Sequence, residues 1–130
     1  MKSLLLALLF VSNAHAATLK GVWSQENVNV DNEPIVITKF YLYWGEQGQP
    51  ISNKISVARG TPDASIGAMD TFRETLSNPL WVFGKTYCFQ LTSVALNGTV
   101  ETESAKTGES CAAPVFKNPK SPASLTISFQ

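Results

Sequence analysis

The chain has 130 residues, ten basic and ten acidic side chains, one histidine and two cysteines. Its balanced charge leaves no basic stripe for nucleic acid and no polybasic patch for anionic lipid. No apolar run is long enough to span a bilayer.

The first sixteen residues read as a secretory leader. Lys2 is the positive start, residues 4–11 are an apolar run, and Ser12–Ala16 ends in the small-x-small pattern of a cleavage site. We expect cleavage after Ala16 and a secreted or periplasmic product. The mature chain of about 114 residues is one domain by length and carries nine bases against ten acids. His15 leaves with the leader, so no imidazole remains for Ser-His or Cys-His catalysis or for a zinc or copper site. Asp31, Glu33, Asp63 and Asp70 have no pairing in their spacing and read as solvated acids. No catalytic residue, cofactor or metal site is expected. Cys88 and Cys111 lie in the exported part, where an oxidising compartment favours a disulfide. It would close a loop of a little over twenty residues, for which the chain-entropy model gives roughly 3 kcal/mol.

In chain order, Leu19, Gly21 and Trp23 share one parity in a short first strand, 18–23, that ends in a core Trp. Ser24–Pro34 is a polar loop. Its Asp31-Asn32-Glu33 lacks the alternating ligands of a calcium loop. Ile35–Trp44 is β-branched and aromatic, a central strand stopped by Gly45. Phe40, Leu42 and Trp44 take one face, Tyr41 and Tyr43 the other. Ile51–Arg59 alternates weakly and reads as an edge strand. Residues 65–76 are ambiguous, with a strand from about Asp70 to Leu76 preferred. After the Ser77-Asn78-Pro79 break, Gly84–Val94 is a half-buried strand. It has Tyr87, Phe89 and Leu91 inward, and Cys88, Gln90 and Thr92 outward. Asn97-Gly98 signals a hairpin, and the return strand runs from about Thr102 to Cys111. This would set the two cysteines across from each other. Asn97-Gly98-Thr99 is also a glycosylation sequon in a eukaryotic setting.

No stretch has helical periodicity. About seven short strands between Gly, Pro and Asn turns indicate an all-β Greek-key sandwich. Within it, Thr18–Trp23 resembles the second strand of a fibronectin type III domain. Ile37–Trp44 resembles its third strand, and Leu80–Val94 its Leu-x-Pro-Gly-Thr-x-Tyr-x-Phe-x-Val signature. The resemblance covers roughly residues 17–113. It implies that Tyr87 is a tyrosine-corner residue, its hydroxyl tied to backbone upstream. It also implies interaction roles rather than catalysis. Phe83 stands where the family has Pro, and the Leu-to-Tyr spacing is one residue off unless Trp81 takes the Leu place. The Arg-Gly-Asp triplet is absent.

The family's first strand has no room after the expected cleavage site. Instead, the Pro-rich segment 114–130 ends in a strand-like stretch with Leu125, Ile127 and Phe129 on one parity. The first-strand-like segment therefore stands at the C-terminus. It could close the sheet in cis, since ten extended residues reach roughly 33 Å. It could also be donated to another molecule, which would give head-to-tail growth, or form an ordinary extra strand.

Tyr41, Tyr43, Trp44, Trp81 and Phe83 exceed what one face must bury; the preferred reading is core plus tyrosine corner, and the alternative is a contiguous exposed set that could stack on sugars or anchor a protein. The functional expectation is a non-enzymatic secreted binding or adhesion module for a protein or glycan. The alternatives are a structural subunit that donates its C-terminal strand, and a secreted enzyme. The first predicts an exposed aromatic patch, the second assembly that depends on 122–130, and the third convergent acids in a pocket.

Overall fold

The structure is a computed structural model that describes residues 17–114 and 120–129; the expected leader, 1–16, lies outside the described residues. Eight strands form, and no helix is found among the described residues. They are β1 (Ala17–Glu26), β2 (Ile37–Glu46), β3 (Asn53–Ala58), β4 (Ala64–Ile66), β5 (Met69–Asn78), β6 (Tyr87–Asn97), β7 (Val100–Glu103) and β8 (Ser110–Ala112). They build two antiparallel sheets, β1-β5-β4 and β3-β2-β6-β7, with β8 pairing β6 beyond β7. The two sheets pack face to face as a β-sandwich.

Alternation decides what lies between the sheets. Along β1, positions 17, 19, 21, 23 and 25 are the more buried set. In β2 the core takes Phe40, Leu42 and Trp44. Two aromatic groups fill the interior. Phe40 and Phe72, both among the most buried residues, meet edge to face with centroids 5.1 Å apart, and Trp23 packs on both. Toward one end, Trp81 lies edge-on to Trp44 and Phe89, and Trp44 to Tyr87. Burying each such ring contributes roughly 1.5–3 kcal/mol by area, an upper figure because unfolded chains already hide part of it.

Several elements differ from the sequence expectation. β1 extends to Glu26, because Ser24 and Gln25 continue the ladder with Thr71 and Asp70. The second strand is displaced to 37–46. It keeps Gly45 inside because a Cβ there would sit 2.2 Å from the Pro50 carbonyl oxygen. In the ambiguous 65–76 stretch the preferred strand from Asp70 to Leu76 lies within β5, and what differs is the short β4 that pairs with it through a turn at Gly67 with φ +62°. Polar tips masked its period. The return strand is broken into β7 and β8. Between them the Ser93 N–H donates to Ser104 Oγ and the Leu91 N–H to Thr107 Oγ1, so hydroxyls replace ladder carbonyls. The Asn97-Gly98 hairpin forms, with Asn97 opposite Val100 and Gly98 at φ +69°.

β6 is buried on both faces rather than one. Cys88 and Thr92, read as outward, are covered, because the outer side of a central strand is roofed by long side chains from its neighbours. Among the described residues, the C-terminal stretch forms no strand. Residues 120–129 are irregular, so the closure in cis that the sequence allowed is absent from the single chain.

Candidate functional site

Tyr41 and Tyr43 point outward from β2, and their ladder partners are Thr92 and Gln90 on β6. β7 brings Glu101 and Glu103 to the same face. The Tyr41 hydroxyl donates to Glu101, and Tyr43 and Thr92 both donate to Glu103. The Glu103 carboxylate holds the Tyr43 phenol in its neutral form, so its pKa rises to about 12. The hydroxyls of Thr92 and Tyr43 in turn hold Glu103 below the usual carboxylate range. Lys39 pairs with Glu101 at 2.6 Å. Lys54 lies over Tyr41 at 4.2 Å, and Lys106 over Tyr43 at 4.2 Å. Beneath this lattice Val94, opposite Lys39 and Glu103, is 0% exposed. Both ring faces and hydroxyls are thus engaged within the chain.

The other candidate aromatics do not join them. Trp44 is 6% exposed and Trp81 3%, both in the core, while Phe83 is exposed away from the tyrosine pair's hydrogen bonds and lysines. Trp81 is turned inward: its backbone N–H donates to the Asn78 carbonyl, its ring packs on Trp44 and Phe89, and its buried indole N–H has no acceptor among the described residues. The expected contiguous aromatic surface is therefore not built.

Tyr87 is buried, and its hydroxyl accepts from the Val82 N–H at 3.0 Å and donates to the Leu80 carbonyl at 3.1 Å. Cys88 and Cys111 face each other across the β6–β8 ladder and are joined by a disulfide. The bond pins the three-residue β8 to the central strand.

Asp70 corrects another expectation. It is buried rather than solvated, and it accepts from Ser65 Oγ at 2.7 Å, Asn27 Nδ2 at 2.8 Å and Arg59 at 2.8 Å. The bonds from Ser65 and Asn27, then Arg59, hold its carboxyl below the usual carboxylate range. These donors tie β4 and the loop after β1 to β5. Oδ2 takes two of these bonds and Oδ1 one, so three of the carboxylate's roughly four acceptor sites are engaged by the fold.

What the fold leaves unpaired is a backbone edge. Among the described residues β1 pairs only with β5, so the far side of this ten-residue strand has no ladder partner. β8 is the terminal strand of the facing sheet at the same side. Between them runs a cleft of about 400 Å³. Leu19, Gly21 and Trp23 form one wall and Leu42, Leu76, Phe89 and Leu91 line its depth. The opposite wall is small, with Thr107, Gly108, Ser110 and Ala112. Leu19, Trp23, Leu76 and Leu91 are only partly buried against the core. The Trp23 indole N–H is buried and has no hydrogen-bond acceptor among the described residues. Edge strands are usually blunted by Pro, bulges or charges. β1 has none of the first two and carries only Lys20 before Glu26. The sequence signal for this edge was the parity of 19, 21 and 23. What it could not show was which of the two flanks of β1 stays open.

A second open depression, about 460 Å³, lies at the Trp44–Asn53 end and is bordered by Glu46, Gln49 and Lys85. The Lys85–Glu46 pair crosses it at 3.3 Å, and no set of convergent acids lines it. No helix among the described residues is long and apolar enough to cross a membrane. Comparison of the chain with protein-family models, curated proteins and solved structures returns no match.

Proposed function

We propose that this chain is a secreted, non-enzymatic binding module of the fibronectin type III kind. It recognises an extended polypeptide segment by adding it as a strand beside β1. The observation that carries this reading is the flank of β1 that no described strand pairs, opening onto the apolar cleft. An extended segment laid there gains ladder hydrogen bonds from its backbone and buries alternate side chains in the cleft, the two components of strand addition. A bound sugar would need flat exposed rings. Trp44 and Trp81 are buried, Tyr41 and Tyr43 are covered by lysines, and Phe83 alone of the candidate rings is exposed, so the glycan reading lacks a contiguous aromatic surface. The fibronectin type III resemblance agrees, because that fold places a further strand beside the one β1 resembles. The Cys88–Cys111 disulfide is compatible with the oxidising compartment that the leader implies.

Hydrogen exchange on the mature chain tests this with a ten-residue peptide of alternating valine and threonine as the probe. Slowed exchange at alternate β1 amides, abolished when Gly108→Trp fills the cleft, is expected. Gly108 suits this purpose because a Cβ there meets nothing within 4 Å. Unchanged β1 exchange at high peptide concentration would overturn the reading.

A further inference from the structure

The segment that fits the cleft is on the chain itself. Leu125, Ile127 and Phe129 share one parity, with Thr126 and Ser128 between them. In the single chain they are 82%, 71% and 97% exposed. Three large apolar side chains on one face, with no surface of their own to cover, form half of a strand interface. The partly buried Leu19, Trp23 and Leu91 along the cleft form the other half.

Resting on the strand-accepting role, we propose that the cleft binds the C-terminal segment of a second copy of this chain, in antiparallel register with β1. Antiparallel addition continues the direction pattern of the sheet, in which β1 already runs against β5. The core-facing positions of β1 are odd-numbered, as are the apolar positions of the tail. A register with Ile127 opposite Gly21 sets Leu125 opposite Trp23 and Phe129 opposite Leu19. Gly21 is the inward position of β1 that brings no side chain of its own, and the Trp23 ring leans over it, 3.1 Å from where a Cβ would stand, so Ile127 would pack against that ring. The serine and threonine of the tail then face outward beside Lys20 and Val22, as the exposed face of a sheet requires.

The direction of the chain favours donation to a neighbour. β8 runs toward the Ala17 end of the cleft, where Ala112, Ala113 and Pro114 border Thr18 and Leu19. A strand antiparallel to β1 must enter at the opposite end, beside Trp23. A tail serving its own domain must first travel back along the outside of the cleft. A tail from another copy enters there directly. Donor and acceptor surfaces are different parts of the molecule, so the contact is heterologous. Each copy that receives a tail still offers its own, and growth is open-ended unless the rotation closes a ring. The chain would thus be a structural subunit.

Light scattering on the mature chain over a wide concentration range, with two full-length variants, tests this. The donor-blocked variant is Leu125→Ser with Ile127→Ser and Phe129→Ser, all at exposed positions. The acceptor-blocked variant is Gly108→Trp. The mature chain should grow in mass with concentration, while each variant alone stays monomeric. An equimolar mixture of the two variants should gain about twofold in mass and stop, because one intact tail meets one intact cleft. No self-complementary patch predicts that stop. A mature chain that stays monomeric, or a mixture that does, overturns the proposal. The valine–threonine peptide then separates the two ideas. If it still protects β1, the cleft accepts strands but not this tail; if it does not, both fail. A monomer whose β1 amides are already protected, and lose protection in the donor-blocked variant, shows closure in cis and also overturns donation between copies.

Discussion

Tyr41 and Tyr43 on the outer face of β2, and Leu19 and Trp23 along the β1 cleft, are all half-buried. They are half-buried for different reasons. On the outer face, lysine stems, glutamates and phenol hydroxyls satisfy one another, and the lattice is complete within one chain. At the cleft, the exposed remainder includes the backbone of an edge strand. Side chains can reach across a face and pair in many geometries, but a row of N–H and C=O groups is matched only by another extended backbone. An exposed aromatic is therefore a weaker sign of a partner than an unblunted edge beside an apolar cleft.

The strongest way to break this comparison is to remove the shared floor. Phe72→Ala deletes a ring packed between Phe40 and Trp23. It should cost about 3–5 kcal/mol and unfold edge and lattice together, as read by chemical denaturation. Next, Cys88→Ser with Cys111→Ser should cost roughly 3 kcal/mol by the chain-entropy model. Its more telling effect is local. β8 should lose exchange protection and the cleft should widen, while Tyr43 keeps its raised pKa. A parallel change at Tyr43 would show that the two regions are not independent.

Acid sharpens the comparison from a third side. The Asp70 carboxyl is held below its ordinary value of about 4, so its contribution to stability is fully present above that pH and is lost as pH falls through the lowered value. Asp70→Asn should flatten the acid limb of the stability curve and lower stability at neutral pH. If the two proteins lose stability in parallel through the acid range, the bonds to Ser65, Asn27 and Arg59 do not act as the structure indicates.

The smallest effect is expected on the lattice itself. Tyr43 should ionise near pH 12, above the ordinary phenol value of about 10. A raised pKa means that the stabilisation is intact below the unfolded value and fades as pH climbs toward the folded one. Glu103→Gln should return the phenolate absorbance of Tyr43 toward the ordinary range with little change in unfolding midpoint. A titration left unchanged would mean that Glu103 is not the acceptor.

How far each region was legible depends on how local its cause is. The parity of 19, 21 and 23, the aromatic run 37–44 and the Asn97-Gly98 turn are properties of neighbouring residues. They led directly to the β-class and to most strands. The cysteine pair followed from compartment and hairpin geometry. The β4–β5 hairpin was hidden because only three residues pair on one side and their side chains are exposed. The interruption at 104–109 was hidden because serine and threonine hydroxyls there act as backbone substitutes, which needs their positions in space.

By itself, the sequence determined that the chain is all-β, that its one histidine is His15, and that Leu125, Ile127 and Phe129 alternate with polar residues. Those follow from composition and from a period of two, which no tertiary context can alter. Only the tertiary structure decided that Trp44 and Trp81 belong to the core, that Asp70 is a buried hub, and that Tyr41 and Tyr43 are covered. It also decided that the flank of β1 away from β5 is the open one. Each of these depends on which residues distant in the chain are brought within a few ångströms, and a strand's pattern specifies its faces but not its neighbours.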